Sequence, residues 1–263
     1  MRLTVDDNSP DVILANSPTG DGTKYPIETL FPNPNSAYPY YGFLPPVVKY
    51  ISPTMNGDYS IVIVEGKPMP IDYRWYPCIK GYISSNDYPP LLHHINIPWH
   101  QWILIFQKLN EKLVLINAGL VFSKTQMQSL DHAFYPPFLL NAWDMVCIPI
   151  ANRDFVIPGV CFDRSKLNAV SDTYSLAELY EDLTRMYWGG FFNLDLYTTL
   201  RCYDKDIDGA EDIESFYSRL STLSMHEVHK YLDKANPSLQ FRYIVEFCNS
   251  NIKTFDIRRV FTG

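Results

Sequence analysis

Apolar and polar positions change their spacing along this chain, and each change marks a different kind of structure. Up to residue 46 there is no regular period. Pro10, Pro18, Pro26, Pro32, Pro34, Pro39 and Pro45-Pro46 interrupt the chain, with Gly20, Asp21 and Gly22 among them, so residues 1 to 46 read as a proline-rich extended arm. Tyr38, Tyr40, Tyr41 and Phe43 load that arm with apolar surface that needs burial against its own domain or a neighbouring subunit. From Val47 the pattern turns strand-like. Val47 to Ile51 and Tyr59 to Val64 flank Asn56-Gly57, the pair that supplies the positive φ angles of a tight turn, and so predict a hairpin. Ile71 to Ile83 extends further, and Gln101 to Phe106 with Lys112 to Phe122 predicts a second hairpin turning at Asn110-Glu111. Met145 to Ile150 and Phe155 to Phe162 complete a mostly antiparallel sheet. His93, His94 and His100 fall in a stretch that reads as a proline-bounded loop beside Trp99.

The helical period begins at Ser175. Ser175 and Glu178 stand three apart as a capping box, and Leu176, Leu179, Tyr180, Leu183 and Met186 follow along one face. Two shorter amphipathic helices are expected, from Glu211 to Leu220 and from Ser224 to Leu232, the second stopping before Asn236-Pro237. Leu239 to Cys248 suits either helix or strand. The fold class is therefore α+β, with an arm at 1–46 and an α+β domain over 47–263. Fifteen of the twenty prolines lie in the first hundred residues, which makes the neighbourhood of Pro98 the candidate internal boundary.

Composition narrows the function classes. With 46% apolar and 15% aromatic residues, 263 residues are enough for a sizeable core. No apolar run approaches the ~20 residues of a spanning helix, so no membrane partner is expected. The first seven residues turn acidic, unlike the charged-then-apolar order of a secretory signal. Five cysteines, Cys78, Cys147, Cys161, Cys202 and Cys248, are odd in number and never paired as Cys-x-x-Cys, which points to a reducing, cytoplasmic setting rather than a disulfide framework. A formal charge of −7 with one small basic pair, Arg258-Arg259, argues against a nucleic-acid partner.

The window from Tyr135 to Ile150 carries the most specific chemistry. It reads Tyr-Pro-Pro-Phe-Leu-Leu-Asn-Ala-Trp-Asp-Met-Val-Cys-Ile-Pro-Ile, with Asn141 six residues before Cys147. This window resembles the centre of the ubiquitin-conjugating-enzyme fold, where a His-Pro-Asn turn leads to an active cysteine, and in particular the prokaryotic branch that includes PRTRC system protein B. The strand-type stretches Trp99 to Phe106 and Gly119 to Phe122, and then Trp188 and Phe191-Phe192, follow the order of that branch, so the resemblance spans roughly Trp99 to Leu200. Leu139-Leu140 stands where His-Pro would be, and Met145 where a glycine usually precedes the Val-Cys pair. The resemblance implies that Cys147 accepts a ubiquitin-like carboxyl group as a thioester, that Asn141 donates to the oxyanion and that Asp144 orients the incoming amine. Its implied partners are a ubiquitin-like modifier and an activating enzyme. The plainer reading of Cys147 is a cysteine packed between apolar strand neighbours, since no cationic residue stands near it to lower its pKa.

A second constellation runs from Asp204 to Ser215. Asp204, Asp206 and Asp208 supply oxygen ligands at positions one, three and five of a calcium loop, Gly209 the turn and Asp212 position nine. Ser215 then occupies the place of the bidentate glutamate, with Glu214 one residue early. Calcium is the only cofactor suggested, against the plainer reading of acidic side chains at the amino end of a helix. His226 and His229 lie three apart on a helix without further ligands and read as surface residues. Neither a phosphate-binding glycine loop nor a Gly-x-Ser-x-Gly turn is present. The alternative from a different class is a non-enzymatic structural protein, such as a phage virion component, whose arm contacts neighbouring subunits of an oligomer. A third option is a binding module built on the same sheet.

Overall fold

In the computed structural model the chain is described at residues 2–5, 11–15, 23–26, 48–51, 59–76, 90–109, 112–129, 131–140, 142–150, 153–170, 173–193, 198–207, 210–235 and 239–244. Three strands, β1 (Arg2–Val5), β2 (Asp11–Ala15) and β3 (Thr23–Pro26), pair in sequence as an antiparallel meander within the stretch read as an arm. The aromatic residues Tyr38 to Phe43 lie outside the described residues.

The main sheet is antiparallel and has six strands. They are β4 (Val48–Ile51), β5 (Tyr59–Gly66), β8 (Trp99–Leu109), β9 (Lys112–Ser123), β11 (Ala142–Ile150) and β12 (Arg153–Val160), in the spatial order β11-β12-β9-β8-β5-β4. Both hairpins read from the sequence pair as expected, β4 with β5 and β8 with β9, although Asn56-Gly57 and Asn110-Glu111 themselves lie outside the described residues. Tyr59 to Gly66 pair without a break with Gln107 to His100, so the ladder joins the chain on either side of Pro98. Ile61, Val62, Ile63 and Val64 are all buried, as are Trp102 to Phe106. Continuous apolar runs of this kind are what a strand covered on both faces requires.

Between β5 and β8 the chain makes a separate two-stranded ribbon, β6 (Met69–Trp75) with β7 (Leu91–Ile97). Here the alternation is clean. Ile71, Tyr73 and Trp75 of β6 face inward with His93, Ile95 and Ile97 of β7, while Asp72, Arg74, Leu92 and His94 face out. The stretch holding His93 and His94 is thus a strand and not the expected loop, and His100 stands in β8. Two histidines in succession disguised the inward-outward period, because the one facing inward is polar.

A short pair, β10 (Ala133–Phe134) with β13 (Leu239–Gln240), and three helices complete the architecture. α1 (Leu176–Trp188) has the full capping box, with Ser175 Oγ accepting from the Glu178 amide and the Glu178 carboxylate from the Ser175 amide. α2 (Ala210–Ser221) and α3 (Met225–Leu232) follow, α3 with its own Ser224–Glu227 box. One core joins the sheet (Val62, Val64, Trp102), the ribbon (Tyr73, Ile95), α1 (Leu179, Leu183), α2 (Phe216, Tyr217) and the segment Phe138 to Leu140. Gly66 permits a close approach within it, since a Cβ there would lie 2.0 Å from His100 Nε2. Among the described residues no helix is long and apolar enough to cross a membrane.

Candidate functional site

The segment that leads into the Asn141–Cys147 window is held by side chains from three distant parts of the chain. Tyr135 bridges to Phe122 of β9 through two backbone hydrogen bonds of 2.8 Å. Pro136 and Pro137 then remove two backbone donors, so the carbonyls and amides that follow need partners from elsewhere. Tyr203 Oη donates to the Pro136 carbonyl, and Thr199 Oγ1 to the Leu139 carbonyl at 3.2 Å. The Leu140 amide donates to Tyr73 Oη at 3.1 Å, Tyr73 donates to Tyr217 Oη at 2.9 Å, and Tyr217 donates to the Phe138 carbonyl at 3.4 Å. The relay starts and ends on the same three residues, Phe138, Leu139 and Leu140, all of them fully buried.

Burial raises the pKa of Tyr73 and Tyr217 well above the ordinary tyrosine value, so both hydroxyls stay protonated and able to donate. The rings are fixed as firmly. Tyr73 stacks on Phe192 at 4.3 Å and lies 4.4 Å from the Tyr217 ring, while Phe138 meets Phe122 edge-on at 4.8 Å. Tyr217 is placed by its own helix, because one turn earlier Glu214 Oε2 accepts from Trp75 Nε1 at 3.0 Å and lies 3.2 Å from His93 Nε2. These two contacts fasten α2 to the inner face of the ribbon. Glu214, which the calcium-loop pattern placed one residue early, thus points its carboxylate at the ribbon.

Of the residues singled out in the window, Asn141 lies outside the described residues. Asp144 and Cys147 are on β11, an edge strand of the six-stranded sheet, and their side chains lie outside the description. Along the backbone Cys147 pairs with Val156, and Asp144 falls in the register shift between Trp143 and Val146. In the acidic loop, Asp204 Oδ2 accepts from Arg219 Nη2 at 2.7 Å and Oδ1 from the Asp206 amide at 3.2 Å. That guanidinium holds the Asp204 carboxyl below its ordinary pKa. Asp206 and Asp212 are exposed and Asp208 lies outside the described residues. Among the described residues no three His, Cys, Asp or Glu side chains are grouped as metal ligands. His226 is exposed on α3, and His229 is half-buried, its Nε2 enclosed and without a hydrogen-bond partner among the described residues.

A second polar cluster lies within the main sheet. Glu65 is 2% exposed, paired with Lys49 Nζ at 3.0 Å, and accepts from Gln101 Nε2 at 3.2 Å and the Met127 amide at 2.6 Å. Gln101 also donates to Ser123 Oγ at 3.0 Å. The three Glu65 contacts join β4, β8 and the Met127 loop to β5, and the Gln101–Ser123 bond joins β8 to β9, which makes this cluster a brace for the sheet. His100 is buried nearby with Nδ1 toward the Pro98 carbonyl at 3.1 Å, and burial lowers its pKa to about 4, so it stays neutral.

Sequence reading missed the tyrosine relay because Tyr73 and Tyr217 are 144 positions apart. The one signal available was the pair of prolines before Phe138, which strips that stretch of local donors. No family model, no curated protein and no solved structure matches this chain.

Proposed function

We propose that this chain is a ubiquitin-conjugating-like carrier in which Cys147 holds the carboxyl end of a small protein modifier as a thioester. The Cys147 thiolate attacks the carbonyl carbon of an incoming thioester, the carbonyl oxygen takes up negative charge opposite the Asn141 side-chain amide, and the intermediate collapses with loss of the donor thiolate. In the second half, an amine held by Asp144 displaces the Cys147 sulfur and leaves an amide.

The observation that carries this reading is the immobilised segment from Pro136 to Leu140, which ends one residue before Asn141. Four side-chain hydroxyls and full burial of Phe138, Leu139 and Leu140 restrain it. An oxyanion donor is effective only when it is held in place before charge develops, because reorientation during the reaction would consume the stabilisation.

The test uses a ubiquitin carboxy-terminal thioester of mercaptoethanesulfonate as donor. The full chain is expected to form an adduct that dithiothreitol releases, visible as one added modifier mass, and the Cys147→Ala chain none. Cys147→Ser is expected to give an adduct that resists dithiothreitol. Adduct formation that persists unchanged in Cys147→Ala, or none with the unaltered chain, rejects the carrier.

A further inference from the structure

A shallow groove of about 760 Å³ runs between β6 and α1. One wall is a stripe of α1, Glu181, Thr184, Arg185 and Trp188, whose three- and four-residue spacing puts them on one helical face. The other wall is β6 from Met69 to Asp72 and Arg74, along the side away from β7, with His94 of β7 joining it on the outer face of the ribbon.

The hydrogen-bond parity of that edge is settled by its neighbour. Phe192 bridges to Trp75 in parallel, with its amide donating to the Arg74 carbonyl at 2.9 Å and its carbonyl accepting from the Tyr76 amide at 2.8 Å. Arg74 therefore turns its backbone groups away from β7, and so do Asp72 and Pro70, two and four residues before it. Pro70 fits this parity, since the amide it lacks would have pointed outward. Among the described residues nothing pairs with the Asp72 amide and carbonyl, although the same edge already supports a strand bridge at Trp75.

We infer that this groove receives an extended polypeptide segment of a partner protein, which adds as a strand to the free edge of β6. Backbone groups that lie along a strand edge are matched by another extended chain, and not by a lipid or a base stack. The side chains of such a segment alternate between two surroundings. One set meets Trp188 and Met69 and is apolar; the other meets the charged outer face of the ribbon. There the Asp72 carboxylate is paired with His94 at 2.7 Å, and on α1 Arg185 is paired with Asp182 at 3.0 Å. Arg74 and Glu181 have no oppositely charged partner among the described residues, so the segment carries an acid toward Arg74 and a base toward Glu181.

The experiment selects random linear peptides displayed on phage against the full chain, then measures synthetic versions by fluorescence polarisation. Enriched peptides are expected to alternate bulky apolar and charged residues, and to bind Asp72→Pro at least about tenfold more weakly. Asp72→Asn, which keeps the backbone amide, is expected to bind them as the unaltered chain does. Because Pro70 already occupies the same parity, Asp72→Pro leaves the β6–β7 ladder intact, which circular dichroism checks. A readout on the unaltered chain backs it up: N-methylation of alternate peptide amides is expected to abolish binding in one phase and spare it in the other. No enrichment, or peptides indifferent to both Asp72→Pro and N-methylation, overturns the inference. Binding does not depend on Cys147, so Cys147→Ala is expected to retain it.

Discussion

Two tyrosines in this core differ by one feature, whether the hydroxyl has a partner, and deleting each hydroxyl separates the worth of the relay from that of the rings. Tyr73 Oη accepts from the Leu140 amide and donates to Tyr217. Tyr187 is also buried, but among the described residues its hydroxyl has no partner. Tyr73→Phe keeps the ring against Phe192 and removes both bonds, leaving a fully buried amide unsatisfied. Such an orphaned donor costs about 1–3 kcal/mol and the lost Tyr73–Tyr217 bond about 1 kcal/mol more, so a loss of about 2–4 kcal/mol is expected. Tyr187→Phe removes a hydroxyl that burial has already stripped of water, and is expected to be neutral or to stabilise by up to about 1 kcal/mol. With a urea slope of about 3 kcal/mol/M for a chain of this size, Tyr73→Phe should lower the unfolding midpoint by about 1 M and leave the slope unchanged. Tyr187→Phe should not lower it. The assay is urea unfolding followed by circular dichroism, with aromatic near-ultraviolet signals read in parallel to confirm that the transitions coincide. Midpoints for the two variants that agree within experimental error would refute the relay as a restraint on Phe138 to Leu140. On the carrier reading, Tyr73→Phe should also slow adduct formation at Cys147 under conditions where the variant is still folded.

Two further outcomes follow from the buried polar groups. His100 has a folded-state pKa of about 4 against 6.5 in the unfolded chain, so the unfolded state takes up the proton first as the pH falls. The associated stability is complete above pH 6.5 and is lost on acidification toward pH 4, by about 3 kcal/mol on this shift. Urea midpoints across that range should fall less steeply for His100→Asn, which retains a donor near the Pro98 carbonyl; an unchanged slope would assign the acid sensitivity elsewhere. At the Glu65 brace, Lys49→Met leaves a carboxylate in the sheet without its cation and is expected to cost about 3 kcal/mol. Adding Glu65→Gln to that variant should restore most of the loss in thermal melts, and a double variant no better than the single one contradicts the pairing.

Elements whose cause lies within a few residues were legible in the chain itself. Ser175 and Glu178 close a capping box through bonds that span three positions, and the same holds for Ser224 and Glu227. The two sheet hairpins needed only their apolar runs and a turn signal between them, and the α+β class followed from the change of period at Ser175. The ribbon was half hidden. Ile71, Tyr73 and Trp75 alternate plainly, but His93 breaks the apolar period of β7, and its inward position makes sense only beside Glu214, 121 residues further along. The relay over Phe138 to Leu140 was not legible, because a hydroxyl at Tyr73 and another at Tyr217 acquire a role only when the sheet, ribbon and α2 close around one segment. Local spacing encodes the bonds a residue makes to its near neighbours. Which buried polar groups find one another across the core is decided by packing, where every donor removed from water must meet an acceptor that the chain delivers from a distance.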